Sequence, residues 1–289
     1  MSTNYTQGYS KATTSSHAAR TIHSDAAFVL PFIDPADRIL DVGCGPGTIT
    51  TGFATIVPQG EVVGIDLSDE VLATARSSVP AGLSNISFQR ANLLEGLPFL
   101  DGHFSVVFSS QVFPHLATAE MRTAALKEMR RVTRPGGLVA TREVAEMHFY
   151  PRAGGLNELL TGNMNKVLRA GQEDGWFPGG EMPALFRQLG FTPDEIKVGA
   201  GTTVHSGEEG RRAFGAGYGA RLSRGDPYYE SWKRAGISDE EIDRTVEALN
   251  LWTEDPDAWC VVLQAELWGR WKVVVHVLTV TISVSEVVA

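Results

Sequence analysis

The stretch Arg38–Thr48, RILDVGCGPGT, joins a short aliphatic run to a glycine-rich turn through a single carboxylate. Ile39, Leu40 and Val42 have the apolar character of a buried parallel strand, and Gly43, Gly45 and Gly47 follow at two-residue spacing. Glycine there lets the backbone turn sharply and a ligand lie against it. Residues Thr48 to Val57 then suit a helix whose first amides face the same ligand. The spacing sets this turn apart from the dinucleotide fingerprint G-x-G-x-x-G. Counted from Gly43, the third glycine of that motif falls on Thr48, Gly47 comes one residue early, and Pro46 has no N–H to offer a pyrophosphate. A nucleotide-like ligand without a pyrophosphate fits better.

The rest of the first half repeats the strand-and-helix alternation. Strands are expected at Glu61–Ile65, Ile86–Arg90, Phe104–Ser109 and Leu138–Glu143, and helices at 68–79 and 117–132, the latter followed by the turn RPGG. The uninterrupted apolar core of FSVVFS suits a sheet covered on both faces. Beyond residue 145, Leu156, Leu159, Leu160, Met164, Val167 and Leu168 keep helical spacing, Glu181 to Leu189 reads as another helix, and Ser238 caps a helix through Leu249. Two more strands are expected near Ile196–Thr203 and Trp259–Leu267. The prediction is an α/β fold: a doubly wound, seven-stranded, mostly parallel sheet with helical insertions in the C-terminal half. It divides into a helical lid (1–36), a ligand-binding core (37–145), substrate-side helices with the remaining strands (146–271), and a tail (272–289). All six tryptophans lie in the second half, where core packing and a share in an apolar pocket are both open roles.

Composition narrows the partners. Among 289 residues, 34 acidic against 25 basic side chains give a formal charge of −9, and no long Lys/Arg run offers a surface for nucleic acid. Cys44 and Cys260 are the only cysteines, too few for a disulfide framework or a cysteine-based metal site. The apolar run near Val273–Val284 is broken by His276 and threonines, so no membrane span is expected. The Ser/Thr-rich first 24 residues resemble a transit peptide only superficially, with Lys11 and Arg20 as their two basic residues, and a cytoplasmic location is the expectation.

Ligands of α/β sheets bind at the carboxyl ends of the strands, where strand order reverses. Asp66, ending the second strand, can accept from both hydroxyls of a ribose; Leu67 can pack on a base and Asn92, after the third strand, can pair with the base edge or cap its own turn. Asp41 can bind an amine or bond the glycine-loop amides. The runs ILDVGCGPGT, VVGIDLS, FSVVFSSQVFPHL and MRRVTRPGGLVATRE resemble, in that order and spacing, the class I S-adenosylmethionine-dependent methyltransferases. YTQGY at 5–9, SHAART at 16–21 and AGQEDGWFPGGEMPALFRQLGF at 170–191 are similar to the ubiquinone/menaquinone-biosynthesis type and its fungal secondary-metabolism relatives. The resemblance spans roughly residues 5–272. It implies S-adenosylmethionine as cofactor, bound by Asp41, Gly43, Gly45, Gly47, Asp66, Leu67, Asn92, Leu93, Ser109 and Gln111, while the aromatic residues of the second half suggest a small, largely apolar molecule as methyl acceptor. Asn92 departs from the Asp usual in that motif, and Pro114 should end or redirect the segment after the fourth strand.

Methyl transfer from a sulfonium is an in-line displacement that needs alignment in a dry cavity and no metal. A hydroxyl or enol nucleophile gains from a general base, and His115 is the best-placed candidate; Tyr5, Tyr9, His17, His148 and His205 come next. Glu143, Glu146 and His148 do not assemble into a convincing metal-assisted site, and Glu143 is expected to pair with Arg142 or solvent. A nicotinamide-dependent dehydrogenase and a binding module without methyl transfer remain alternatives. Oligomeric state and the methylated atom are not encoded legibly.

Overall fold

The computed structural model describes residues 19–168 and 177–271. Tyr5, Tyr9, His17, Trp176, the tail at 272–289, the motif YTQGY and the first half of SHAART lie outside the described residues. Seven strands, β1 Arg38–Val42, β2 Glu61–Asp66, β3 Ile86–Arg90, β4 Phe104–Ser110, β5 Thr133–Tyr150, β6 Ile196–His205 and β7 Trp259–Arg270, form one sheet in the order β3-β2-β1-β4-β5-β7-β6. The pairs from β3 through β5 are parallel, and β7 runs antiparallel to both β5 and β6. Strand order reverses between β1 and β4. That switch point is where the glycine turn and Gln111 emerge side by side.

Two-sided burial follows from the alternation of the strands. Ile39, Val62, Val106 and Phe108 face α1 Ile22–Asp25 and α2 Thr48–Ile56, where Phe53 packs on Phe108. Their sequence neighbours Leu40, Val63 and Val107 face the opposite core, with Leu126 and Met129 of α4 Ala119–Val132. Between these helices in the chain, α3 Asp69–Ser77 is capped by Ser68, whose hydroxyl accepts from Val71 N–H at 3.3 Å, and it packs on Phe88.

A second apolar core forms beyond the sheet's carboxyl end. Val144, Met147 and Phe149 of β5 and Cys260 and Val262 of β7 meet α5 Asn163–Leu168, α7 Gly207–Arg221, α8 Pro227–Arg234 and α9 Asp239–Glu254; α6 Met182–Gln188 belongs to the first core. Trp232 is fully buried here, and Trp252 donates from Nε1 to Tyr150 O at 3.0 Å. Sequence expectations hold for the element order but fall short on three points. β5 runs on to Tyr150 rather than ending at Glu143, because β7 supplies partners as far as the pair Tyr150–Trp259. The segment expected as a simple helix from Leu156 opens with a π-helical turn, Asn157–Gly162. The insert between β6 and β7 is more regular than expected, with α7 and α8 preceding the anticipated α9. Among the described residues no helix is long and apolar enough to cross a membrane.

Candidate active site

A cavity of about 830 Å³ opens at the switch point and continues beneath the second core. Its size lies high in the range of roughly 300–1,000 Å³ common for small-molecule sites. One end is lined by Gly43, Gly45, Asp66, Leu67, Asn92 and Leu93, the other by Met147, Met164, Phe177, Phe214, Tyr218 and Val262.

The three glycines divide the work of the turn. All have positive φ: 69° at Gly43, 54° at Gly45 and 82° at Gly47. A Cβ on Gly45 would meet no atom within 4 Å, so this backbone faces open space in the cavity. On Gly47 it would fall 2.8–2.9 Å from Phe88 and Ala75. Gly47 therefore serves the packing of α2 against α3 and β3, and it does not line the cavity. On Gly43 a Cβ would strike Val112 at 2.5 Å, so that residue both borders the ligand space and admits the loop after β4.

Asp66 is fixed by two backbone donors. Gly45 N–H reaches its Oδ2 at 3.0 Å and Ser68 N–H its Oδ1 at 3.1 Å. A carboxylate oxygen accepts more than one bond, so a carboxylate oriented in this way suits a diol. Asn92 does cap its turn, its Oδ1 accepting from Leu94 N–H at 3.0 Å, while still lining the cavity beside Leu67 and Leu93.

Asp41 and Ser110 line a small side cleft together with Arg20, Thr48 and Ile49 at the N-terminus of α2. Thr50 donates to Asp41 Oδ2 at 2.6 Å; no described glycine-loop amide does so, since that loop is held by Asp66 and by Ile65 O. Burial pushes Asp41 up to about 7, the Thr50 bond opposing and the Asp66 charge adding to the rise. Ser110 Oγ is buried without a hydrogen-bond partner. The orphaned hydroxyl and the Asp41 carboxyl in the same cleft suit the ammonium end of an amino acid.

Ser109 and Ser110 point to opposite faces of β4, and only Ser110 reaches the cavity. The Ser109 hydroxyl instead lies 3.4 Å from Glu143 Oε1. Glu143 pairs with neither Arg142 nor solvent, contrary to the sequence expectation: it is fully buried, and burial pushes it up to about 8 against the pull of the Val112 and Phe113 amides, Arg20 and Ser109. Arg142, itself buried, bonds Asp25 at 2.8 Å and Glu266 at 3.2 Å.

Pro114 does redirect the chain, into a short 3-10 turn, Phe113–His115, that puts His115 on the cavity wall. Burial, reinforced by Arg20, lowers His115 to about 3. A proton there at pH 7 costs roughly 5 kcal/mol, so His115 is a neutral hydrogen-bonding group and a poor general base. His205 also lines the cavity, and burial lowers its pKa; His148 turns away to Glu146 at 2.7 Å. No described tryptophan lines the cavity; Phe177, Phe214 and Tyr218 supply its aromatic surface. Gln264, on β7, lines it as well and was missed, because a glutamine in a late strand carries no motif.

A methyltransferase domain family matches residues 39–137. The chain is 41% identical over 278 residues to a protein of Aspergillus luteorubrus named "Probable methyltransferase ltbC", covering 93% of this chain and 97% of that one. It is 32% identical over 186 residues to the demethylmenaquinone methyltransferase of Geobacillus kaustophilus, covering 57% and 75%. The solved YcgJ protein of Bacillus subtilis shares the fold with a TM-score of 0.54 at 17% identity, over 86% of this chain and 98% of that one.

Proposed function

Because this chain belongs to the S-adenosylmethionine-dependent methyltransferases, we propose that one end of its cavity holds the cofactor and the other a small, largely apolar aromatic or enolic molecule. The observation that carries this is continuity: the Asp66 end and the pocket of Met147, Met164, Phe177, Phe214 and Tyr218 are one space. Asp66 binds the ribose hydroxyls, Leu67, Asn92 and Leu93 hold the base, and Asp41 with Ser110 receives the amino-acid end. Gly43 and Gly45 let the backbone approach, Gly47 keeps α2 in place, and Ser109 and Gln111 shape the corner after β4. When bound, the cofactor supplies an electrophilic methyl group on a sulfonium.

The protein's part is alignment and exclusion of water. The apolar wall keeps the methyl acceptor dry, neutral His115 accepts a hydrogen bond from its hydroxyl, and the proton displaced by the methyl group is released to solvent with the product. The Geobacillus relative is named for demethylmenaquinone, which agrees with such an acceptor and with a place in quinone biosynthesis or secondary metabolism. Incubation with methyl-labelled S-adenosylmethionine and a panel of phenols, enols, amines and thiols tests the reading. Transfer to the phenols or enols is expected, together with binding of S-adenosylhomocysteine and none of NAD. Saturable binding of S-adenosylhomocysteine with no transfer to any of them would mark a binding module instead.

A further inference from the structure

Gln264 sits on β7 opposite Val144 of β5, is only 5% exposed, and lines the cavity beside Val144, Met147 and Val262. Its Oε1 accepts from Gln111 Nε2 at 2.6 Å. The same Nε2 donates to Arg142 O at 3.2 Å. A carbonyl oxygen can only accept, so the carboxamide of Gln111 has a single orientation, with its nitrogen toward β5 and β7. Gln264 must answer with its oxygen. Its own Nε2 is thereby turned away from the strand pair, and no hydrogen bond to a described residue engages it.

The relay is anchored at both ends. Gln111 adopts φ of 60°, uncommon for a residue with a side chain, and its backbone N–H also donates to Arg142 O at 2.9 Å. Arg142 is tied by its guanidinium to Asp25, Glu266 and Thr203. Once an occupant covers it from water, a donor held this firmly is costly to leave unpaired, so an occupant that satisfies it is favoured over one that cannot.

Building on the cofactor placement above, we propose that Gln264 is the residue that orients the methyl acceptor, its Nε2 donating to a carbonyl or phenolic oxygen of that molecule. The substrate class is then an oxygen-bearing, otherwise apolar ring or enone. The bonded oxygen is distinct from the attacking atom, whose lone pair must stay available to the methyl group.

The test compares 1-tetralone, which offers only a carbonyl oxygen, with tetralin, its counterpart lacking it, by equilibrium dialysis against protein saturated with S-adenosylhomocysteine. Wild type should prefer tetralone roughly five- to tenfold, the worth of one hydrogen bond. In Gln264→Met the ratio should fall to about one while S-adenosylhomocysteine affinity stays at the wild-type value. Gln264→Glu, which replaces the donor by an acceptor, should lose the preference too and serves if the methionine variant fails to fold. Equal affinity of wild type for the two probes, no binding of tetralone, or a preference that survives both substitutions overturns the proposal. Failure of wild type to bind S-adenosylhomocysteine would instead count against the cofactor placement.

Discussion

Asp41 should make cofactor-product affinity depend on pH. Its carboxyl is pushed up to about 7 by burial, with the Asp66 charge adding to the rise. The proposed ligand brings an ammonium that favours the ionised form, so the bound state keeps Asp41 charged well below pH 7. The sign follows directly. In the free protein the neutral acid dominates below pH 7 and must lose its proton on binding, so affinity is weak at low pH and strengthens as pH rises through 7. With a free-state value of about 7, roughly one-tenth of the protein is ionised at pH 6 and three-quarters at pH 7.5, an affinity ratio of about eightfold. Near pH 7 about half a proton should be released per ligand bound. Calorimetry of S-adenosylhomocysteine in two buffers of different ionisation enthalpy reads both quantities. Unliganded stability should also fall as pH rises through 7, and ligand should restore it. Asp41→Asn should bind more weakly at pH 7.5 and without the slope. An affinity that is flat from pH 6 to 7.5 in wild type, or a slope that persists in Asp41→Asn and so belongs to buried Glu143, would refute the reasoning.

Other substitutions test separate parts of the site. Gly47→Ala should cost about 3 kcal/mol in urea unfolding, since it strains a positive φ and drives a Cβ into Phe88 and Ala75; a loss under about 1 kcal/mol would contradict the packing role. Asp66→Asn should weaken S-adenosylhomocysteine binding roughly thirtyfold, by removing charge-assisted bonds to a diol, and unchanged affinity would remove Asp66 from the ribose site. Arg142→Met should destabilise the fold by about 3 kcal/mol or more, because Asp25 and Glu266 would lose their shared buried cation. His115 should show no titration of its ring resonances by NMR between pH 5 and 8, because its neutral form is favoured down to about 3; a pH–rate inflection near 6.5 that disappears in His115→Gln would restore it as a base.

The switch-point end of the cavity was legible because its residues are local in sequence. Asp41, the glycine turn, Asp66 and Asn92 each sit at a strand end that the hydrophobic pattern of its own segment reveals, and a short turn carries its meaning in consecutive residues. Even there, spacing could not separate Gly45, which faces the cavity, from Gly47, which faces Phe88. Nor could it tell which of Ser109 and Ser110 points inward, since a strand alternates and the phase depends on its neighbours. The other end was less legible. Gln264 matters through Gln111, 153 positions away in the chain, and through one backbone carbonyl of Arg142. The lowered pKa of His115 and the raised pKa of Glu143 arise from burial by segments distant in sequence. The tryptophans left two roles open because their size suits both a core and a pocket; Trp232 and Trp252 are in the core, and no described tryptophan lines the pocket.

The long antiparallel pair of β5 and β7 contributes to both cores and supplies Val144, Met147, Val262 and Gln264 to the cavity wall. Val139 and Leu267 of this ladder belong to the first core, Met147 and Val262 to the second, and a register shift between Val144 and Glu146 separates them. Along this ladder the cavity wall advances by roughly 3.3 Å per residue. A two-residue insertion in β5 on either side of the shift would preserve the facing of its side chains yet carry the far wall roughly 7 Å along the sheet. The strand acts as a ruler, and its length sets how far this wall of the cavity reaches.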